Sequence, residues 1–417
     1  MPPLQKDQCI TVNVERLTYG GEAPAQYEGH DVLVLRGVPG DRVVARIVGI
    51  HDDVIRTEIT EIITPSPARV HPECSAFHEG CGGCQWLQVE YQEQLRWKKL
   101  IVREIMGEYD AMKDVPVRDV AGMNHPFFYR NKMVVRMRGP RDALRVGFHT
   151  PRTKWVINVF NTPDGQCHIQ NDLNNRIGRG LADSLSQERR PLKSATVRTS
   201  EEDEVSLDLD RKLRAAISAD LKGIGTQASI VHYTVDGRRF RVTSPSFFQA
   251  NTAQTGALVQ AALDMLPEQR MHTAVDVYCG VGLFTLFLAD RTERVYGIEE
   301  SHTAIADAEH NATAHDISNT RFIRAKAEEA LPDVAKTEGR IDTVLVDPPR
   351  SGCDPDVLRT ISRCEPERLI YVSCNVTTLA RDLALLRELG YRTTEIRPVD
   401  MFPHTYHVEC VARCERV

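Results

Sequence analysis

The stretch Ala274-Val275-Asp276-Val277-Tyr278-Cys279-Gly280-Val281-Gly282 decides the fold. A short apolar run ends in a glycine turn, and glycines there let a ligand approach the backbone just ahead of a helix. Residues 294–298 predict a second strand, and Glu299 follows it about twenty residues after the glycines, where a carboxylate can hold a ribose hydroxyl pair. The pairing indicates an adenosyl-type cofactor, with NAD and S-adenosylmethionine both open on these residues alone. Working outward, residues 320–323, 343–346 and 369–372 predict three more strands, with helical stretches over 302–314 and 376–389 between them. Strands alternating with helices predict an α/β, doubly wound, Rossmann-like sheet, whose ligands bind outside the carboxyl ends of the strands.

Two of those strand ends carry unusual residues. Asp347-Pro348-Pro349-Arg350-Ser351-Gly352 follows the fourth strand, and its paired prolines impose an extended, rigid backbone. Such a loop can hold a carboxylate, carbonyls and a guanidinium against a planar base. Ser373-Cys374-Asn375 follows the fifth strand. A cysteine leaving a strand just before a helix N-terminus can have a lowered thiol pKa and can act as a nucleophile. Near the C-terminus Glu409 lies in a strand-like run, where it can serve as a general base but taken alone reads as an ordinary exposed glutamate.

Upstream the pattern is different. Residues 32–35 and 42–50 are rich in β-formers and punctuated by Gly20-Gly21, Gly29 and Pro39-Gly40, the pattern of a small all-β barrel. Thr64-Pro65-Ser66-Pro67 breaks regular structure and marks a boundary. Between residues 126 and 155 there are eight Lys or Arg against one acid, a local charge of +7 in a chain of formal net charge −6. Phe127, Phe128, Tyr129, Phe148 and Trp155 are interleaved with them. Cations hold phosphates and aromatic rings stack on bases, so this composition suits single-stranded nucleic acid, the plainer alternative being a strand pair with a solvated charged face. Residues 132–138 and 144–148 predict that strand pair around a Gly139-Pro140 turn. The polar stretch 172–241 carries little signal.

No apolar run reaches the roughly 18 residues needed to span a bilayer, and no leader-like stretch opens the chain. A soluble, cytoplasmic protein is expected. Eleven cysteines therefore read as thiols, metal ligands or catalysts rather than a disulfide framework. Cys74, Cys81 and Cys84 cluster among Gly80, Gly82 and Gly83, and Cys167 lies far downstream. Four thiolates suit a [4Fe-4S] cluster or a structural zinc ion, and His71 or His78 can replace a cysteine in the zinc case. Cys9, Cys279, Cys353, Cys364, Cys410 and Cys414 are expected to be buried structural residues.

Together these residues resemble the RNA (uracil-5-)-methyltransferase family, which makes 5-methyluridine in ribosomal and transfer RNA. The resemblance covers most of the chain. Gly20-Gly21-Glu22-Ala23 and Val38-Pro39-Gly40-Asp41 are similar to a TRAM domain, an OB-like barrel. Cys81-Gly82-Gly83-Cys84-Gln85, with Tyr91 and Gln94, is similar to the family's iron–sulfur segment. Tyr129-Arg130-Asn131-Lys132 and Phe247-Phe248-Gln249-Ala250-Asn251 match motifs of the middle and catalytic regions, and Asp347-Pro348-Pro349-Arg350 with Ser373-Cys374-Asn375 is the most specific pair. Six residues separate Cys74 from Cys81 where the family often has five, and Val376 stands where it usually has proline.

The resemblance implies a TRAM-like barrel over 1–66, a β-rich iron–sulfur domain with a basic RNA-facing sheet over 67–240 and an S-adenosylmethionine methyltransferase domain over 241–417. It implies that Gln249, Tyr278, Glu299 and Asp347 contact S-adenosylmethionine, that Cys374 is the nucleophile and Glu409 the base, and that Cys74, Cys81, Cys84 and Cys167 hold a [4Fe-4S] cluster. The implied substrate is RNA, large-subunit ribosomal RNA ahead of transfer RNA. The competing readings are an iron–sulfur RNA-binding protein without methyl transfer and a zinc-stapled binding module.

Overall fold

The computed structural model describes residues 4–139, 144–185, 194–208 and 226–417. The Gly139-Pro140 turn and Arg141 therefore lie partly or wholly outside the described residues.

Strands β1 (Cys9–Asn13), β2 (Ala23–Tyr27), β3 (His30–Leu35), β4 (Arg42–His51) and β5 (Val54–Thr64) form one sheet in the order β1-β4-β5-β3-β2. An antiparallel bridge from Val14 to Ala25 joins the first strand to the second and closes the sheet into a barrel. Alternation does the work: Ile10 and Val12 point inward while Cys9 and Thr11 face solvent. Cys9 is thus exposed rather than structural.

The middle sheet runs β11-β10-β9-β6-β7-β8, from strands β6 (Lys132–Arg138), β7 (Arg145–His149), β8 (Val156–Ile157), β9 (Ser194–Thr199), β10 (Glu204–Asp208) and β11 (Thr226–Gln227). Along β6, Met133, Val135 and Met137 are buried under the helix Asp172–Leu185, while Val134, Arg136 and Arg138 are exposed. The polar stretch 172–241 proves to hold much of this sheet. It was illegible because its apolar positions are widely spaced among charges.

A hairpin of β12 (Ile230–Val235) and β13 (Arg238–Thr243) packs with the helix Thr252–Leu263 on one face of the third sheet. That sheet has the order β16-β15-β14-β17-β18-β20-β19, built from β14 (Met271–Val277), β15 (Thr292–Glu299), β16 (Thr320–Arg324), β17 (Thr343–Val346), β18 (Arg368–Ser373), β19 (Tyr391–Val399) and β20 (Glu409–Arg416). The first five are parallel, and β20 runs antiparallel to both β18 and β19. The helices Ala327–Glu338, Pro355–Arg363 and Val376–Glu388 cover the opposite face. The strand order reverses between β14 and β17, and that crevice is where such sheets bind ligands.

The helix Tyr91–Gly107 ties the parts together. Its Ile101 packs into the barrel core, whereas Val102 and Met106 pack into the core of the third sheet. Lys98 and Asp400, both fully buried, form an ion pair at 2.5 Å, and Tyr91 donates to the same carboxylate at 2.9 Å. No helix among the described residues is long and apolar enough to cross a membrane.

Candidate active site

Register brings the strand ends into line. Val277 sits beside Ile298 and Val346, and Val346 beside Tyr371, so Tyr278, Glu299, Asp347 and Cys374 leave the sheet at one edge. The reversed strand supplies the next residue. Ser373 pairs with Cys410 at the end of the antiparallel β18–β20 ladder, so Cys374 and Glu409 flank that last pair.

A single cavity of about 840 Å³ is lined by Gln249, Tyr278, Gly280, Glu299, Asp347, Cys374 and Glu409, and also by Cys74, Cys81, Cys84 and Cys167. All ten residues singled out in the sequence therefore face one space. The cavity further takes in Arg130, Lys132, His168, Phe247, Arg350 and Phe402.

The adenosyl side is pre-shaped. Tyr278 has a left-handed backbone (φ 66°) and Gly280 follows at φ 55°. A Cβ at Gly280 would meet nothing within 4 Å, so the glycine leaves open floor rather than filling a turn. Glu299 is held by the Gly280 and Ser301 amides, which donate to its two oxygens at 3.3 and 2.8 Å. Behind them Asp276 is buried, and burial pushes its carboxyl up to about 7; Thr285 donates to one oxygen and the other is unpartnered. An open cradle rimmed by an oriented carboxylate fits an adenosyl ligand.

Gln249 is placed from the middle region. Asn131 Nδ2 donates to the Gln249 carbonyl at 2.9 Å and to Thr252 Oγ1 at 2.8 Å, and Asn131 N donates to the Ala250 carbonyl at 2.9 Å. The Tyr129–Lys132 motif is thus the clamp on the Phe247–Asn251 motif. Phe247, 63% exposed, stands in the cavity wall.

Around Cys374 the electrostatics differ from the sequence expectation. The thiol is not lowered: burial first, then the negative charges of Glu409 and Asp347, push it up to about 11, while Arg350 opposes them with its charge and a hydrogen bond. Asn375, whose side chain caps the following helix through the Thr377 amide, also donates to the Arg350 carbonyl at 3.0 Å and so pins the two loops together. Glu409 is buried rather than exposed, at 4% of its surface, and burial pushes its carboxyl up to about 7. Burial and the charge of Glu409 likewise raise Asp347 well above the carboxylate range.

The four cysteines of the middle region are raised by burial, Cys81 to about 11 and Cys167 to about 12. Among the described residues no three of their sulfurs lie mutually within 4.8 Å. His71 and His78 do not join them; they stack on each other at 4.9 Å, with His78 Nε2 2.7 Å from the Pro72 carbonyl. The histidine that does approach is His168, whose ring nitrogen lies with Cys74 Sγ and an Asp164 oxygen in a group within 4.8 Å. His168 and Asp164 were missed in the sequence because single polar residues in loops carry no spacing signal.

The comparisons agree with this geometry. Residues 229–417 match the model of the tRNA (uracil-5-)-methyltransferase family. A Bacillus cereus protein described only as an RNA methyltransferase is 32% identical over 100% of this chain and 98% of its own length. A similarly described protein of Halalkalibacterium halodurans is 30% identical over 99% and 98%. The solved tRNA (uracil-54, C5)-methyltransferase of Pyrococcus abyssi, in complex with S-adenosyl-L-homocysteine, shares the fold with a TM-score of 0.71 over 97% of this chain and 100% of its own, at 23% identity. The aligned strand ends, the open adenosyl cradle and full-length relatives together make this chain a member of the RNA (uracil-5-)-methyltransferase family.

Proposed function

We propose that this enzyme methylates C5 of a uridine in large-subunit ribosomal RNA through a covalent adduct on Cys374. The observation that carries the reading is that Cys374 and Glu409 flank the last Ser373–Cys410 pair of an antiparallel ladder and line one cavity, with Arg350 against both. Uracil C5 is too weak a nucleophile to take a methyl group directly. Addition of the Cys374 sulfur to C6 pushes electron density to C5, and C5 then attacks the methyl. Bound S-adenosylmethionine supplies that electrophilic methyl group. Glu409 removes the C5 proton, the C5–C6 double bond re-forms and the Cys374 sulfur leaves. Arg350 stabilises the sulfur anion and the developing enolate oxygen. A carboxyl near neutrality, as burial makes Glu409, is matched to proton transfer at physiological pH.

Gln249, Tyr278, Glu299 and Asp347 would hold the methyl donor, with Glu299 on the ribose hydroxyls. The base must leave its stack to enter the cavity. The exposed face of β6, with Arg136 and Arg138, and Arg145 stacked on Trp155 at 3.7 Å suits the flanking strand. The barrel (1–66) would act as a TRAM-type RNA-binding module, 67–240 as the cluster-bearing unit and 241–417 as the catalytic one. Cys74, Cys81, Cys84 and Cys167 would bind a [4Fe-4S] cluster; zinc is the colourless alternative, supported by the Cys74–Asp164–His168 grouping.

The decisive experiment incubates unmodified RNA with labelled S-adenosylmethionine and the wild type, Cys374→Ala or Glu409→Gln. Label should enter C5 with the wild type only, and Glu409→Gln should accumulate a gel-shifted protein–RNA adduct. Full activity of Cys374→Ala would sink the adduct mechanism. A transfer-RNA target is the second reading, favoured by the whole-chain fold match to a tRNA enzyme. Mapping 5-methyluridine in both RNAs from a strain lacking the protein separates the two.

A further inference from the structure

The barrel sends one turn to the catalytic edge of the third sheet. The turn closes on itself: the Gly21 amide donates to the Thr18 carbonyl at 3.1 Å, and Thr18 Oγ1 donates to the Glu22 carbonyl at 2.9 Å. Tyr19, within it, packs against both the barrel core and the core of the third sheet. Its hydroxyl donates to Asn375 Oδ1 at 3.3 Å. Asn375 directly follows Cys374 and is a junction. Its Oδ1 also accepts from the Thr377 amide at 3.1 Å, and its Nδ2 donates to the Arg350 carbonyl at 3.0 Å. One side chain thus joins the barrel to the helix that follows the thiol and to the loop that carries Arg350.

The same turn meets the loop that leads into Glu409. The Tyr19 ring stands edge-on to Tyr406, with centroids 5.4 Å apart and planes at 81°, and Tyr406 lies just ahead of Glu409 in the chain. Gly21 has a left-handed backbone (φ 90°), and a Cβ there would fall 3.0 Å from Tyr406 Cδ1 and 2.7 Å from Gln85 Cγ. The backbone approaches this closely because it carries no side chain. A barrel whose sole task was to capture RNA would need no contact with the residue beside the nucleophile. Rates, in contrast, are sensitive to ångström-scale placement of the attacking atom.

We propose that Tyr19 is a positioning residue for methyl transfer: through Asn375 it fixes the loop that carries Cys374, so that the seated barrel sets the geometry of attack as well as holding RNA. This rests on the reading of Cys374 as the nucleophile. Tyr19 touches no reacting atom. Its hydrogen bond and its ring packing are separate contributions, and the first can be removed without the second.

The test uses the full chain as wild type, Tyr19→Phe, Asn375→Ala and the double variant. The probes are transcripts of large-subunit ribosomal RNA and of transfer RNA with 5-fluorouridine in place of uridine, whichever the wild type captures. The sulfur adds to C6 and C5 takes the methyl group, but fluorine at C5 cannot leave as a proton does, so the adduct persists. Its single-turnover rate is read by gel shift, apart from the step assigned to Glu409. Tyr19→Phe keeps the ring and should slow adduct formation at saturating RNA and S-adenosylmethionine by about 3- to 10-fold, the scale of one hydrogen bond. RNA affinity should stay near that of the wild type. In the Asn375→Ala background the hydroxyl has lost its acceptor, so Tyr19→Phe should have little further effect. A general loosening of the fold would slow both backgrounds alike, which keeps the cycle decisive even if the urea midpoint of Tyr19→Phe falls. Equal slowing in the two backgrounds, an unchanged rate in Tyr19→Phe, or a loss confined to RNA affinity would overturn the inference and leave Cys374 as the nucleophile. A wild type that forms no adduct with either RNA would overturn both.

Discussion

Cys374 and the four cysteines of the middle region open onto the same cavity but are held there by different means. Cys374 follows the last residue of β18, and ladder hydrogen bonds on both sides set its neighbours. The four cysteines belong to loops. Cys74 precedes the short helix Ser75–His78, Cys81 and Cys84 lie in a glycine-rich turn, and the Cys167 amide donates to Asn175 Oδ1 at 2.8 Å. A sheet edge presents its residues whether or not a ligand is bound. A loop site of buried thiols is completed by what fills it.

The largest test of that contrast sets Cys374→Ala against Cys84→Ala. The first should lower methyl transfer by about 10⁴-fold or more while leaving the urea midpoint near that of the wild type. If the four cysteines hold a metal as proposed, the second should lose it and shift the midpoint downward. Equal stability losses in the two variants would erase the distinction.

Next comes the anchor of the loop that leads into Glu409. Lys98→Met leaves Asp400 charged and unpaired in a fully buried position, which should destabilise the chain by about 3–5 kcal/mol in urea unfolding. If turnover of the folded fraction also falls, sheet register alone does not place Glu409.

Arg350→Gln removes a cation that opposes the upward push on the Cys374 thiol. Adduct formation should slow about 10²-fold and its pH profile should move to higher pH, read by rapid-quench gel shift.

The smallest effect is on stability. Burial holds the folded pKa of Glu409 at about 7, above its ordinary 4.5, so the folded state binds this proton more tightly than the unfolded state. Stability tied to that proton is full below the unfolded value and is lost as pH rises through about 7. Glu409→Gln should therefore be more stable than the wild type at about pH 8, by on the order of 2 kcal/mol, and no more stable at about pH 4. No gain at the higher pH would mean that water reaches the carboxylate.

Much of the catalytic sheet was legible because its strands are short apolar runs with chemistry at their ends. The expected strand at 343–346 matches Thr343–Val346, and the helix at 302–314 matches His302–Ala314. The edge strand Tyr391–Val399 was not visible, since Arg392, Glu395 and Arg397 interrupt its apolar pattern; Glu395 pairs instead with Arg118 and Arg397. The helix Tyr91–Gly107 was also missed, because two of its buried positions are Gln94 and Lys98. The two erroneous site expectations share one cause. A lowered Cys374 thiol and an exposed Glu409 both follow from reading each residue against its own chain neighbours, whereas the fold sets them against each other in a buried crevice.

The five parallel strands, the glycine turn, the proline-stiffened loop and the count of clustered cysteines were all properties of the sequence, since each depends on local backbone preference or on short spacing. The nearness of Cys374 and Glu409 belongs to the tertiary structure, because the antiparallel final strand sets Cys410 beside Ser373 and so brings residues distant in the chain to one cavity. So does the union of ten separate candidates in one cavity, and so do the charges that set their proton affinities. Burial and long-range neighbours govern those affinities, and neither is written in any single stretch of the chain.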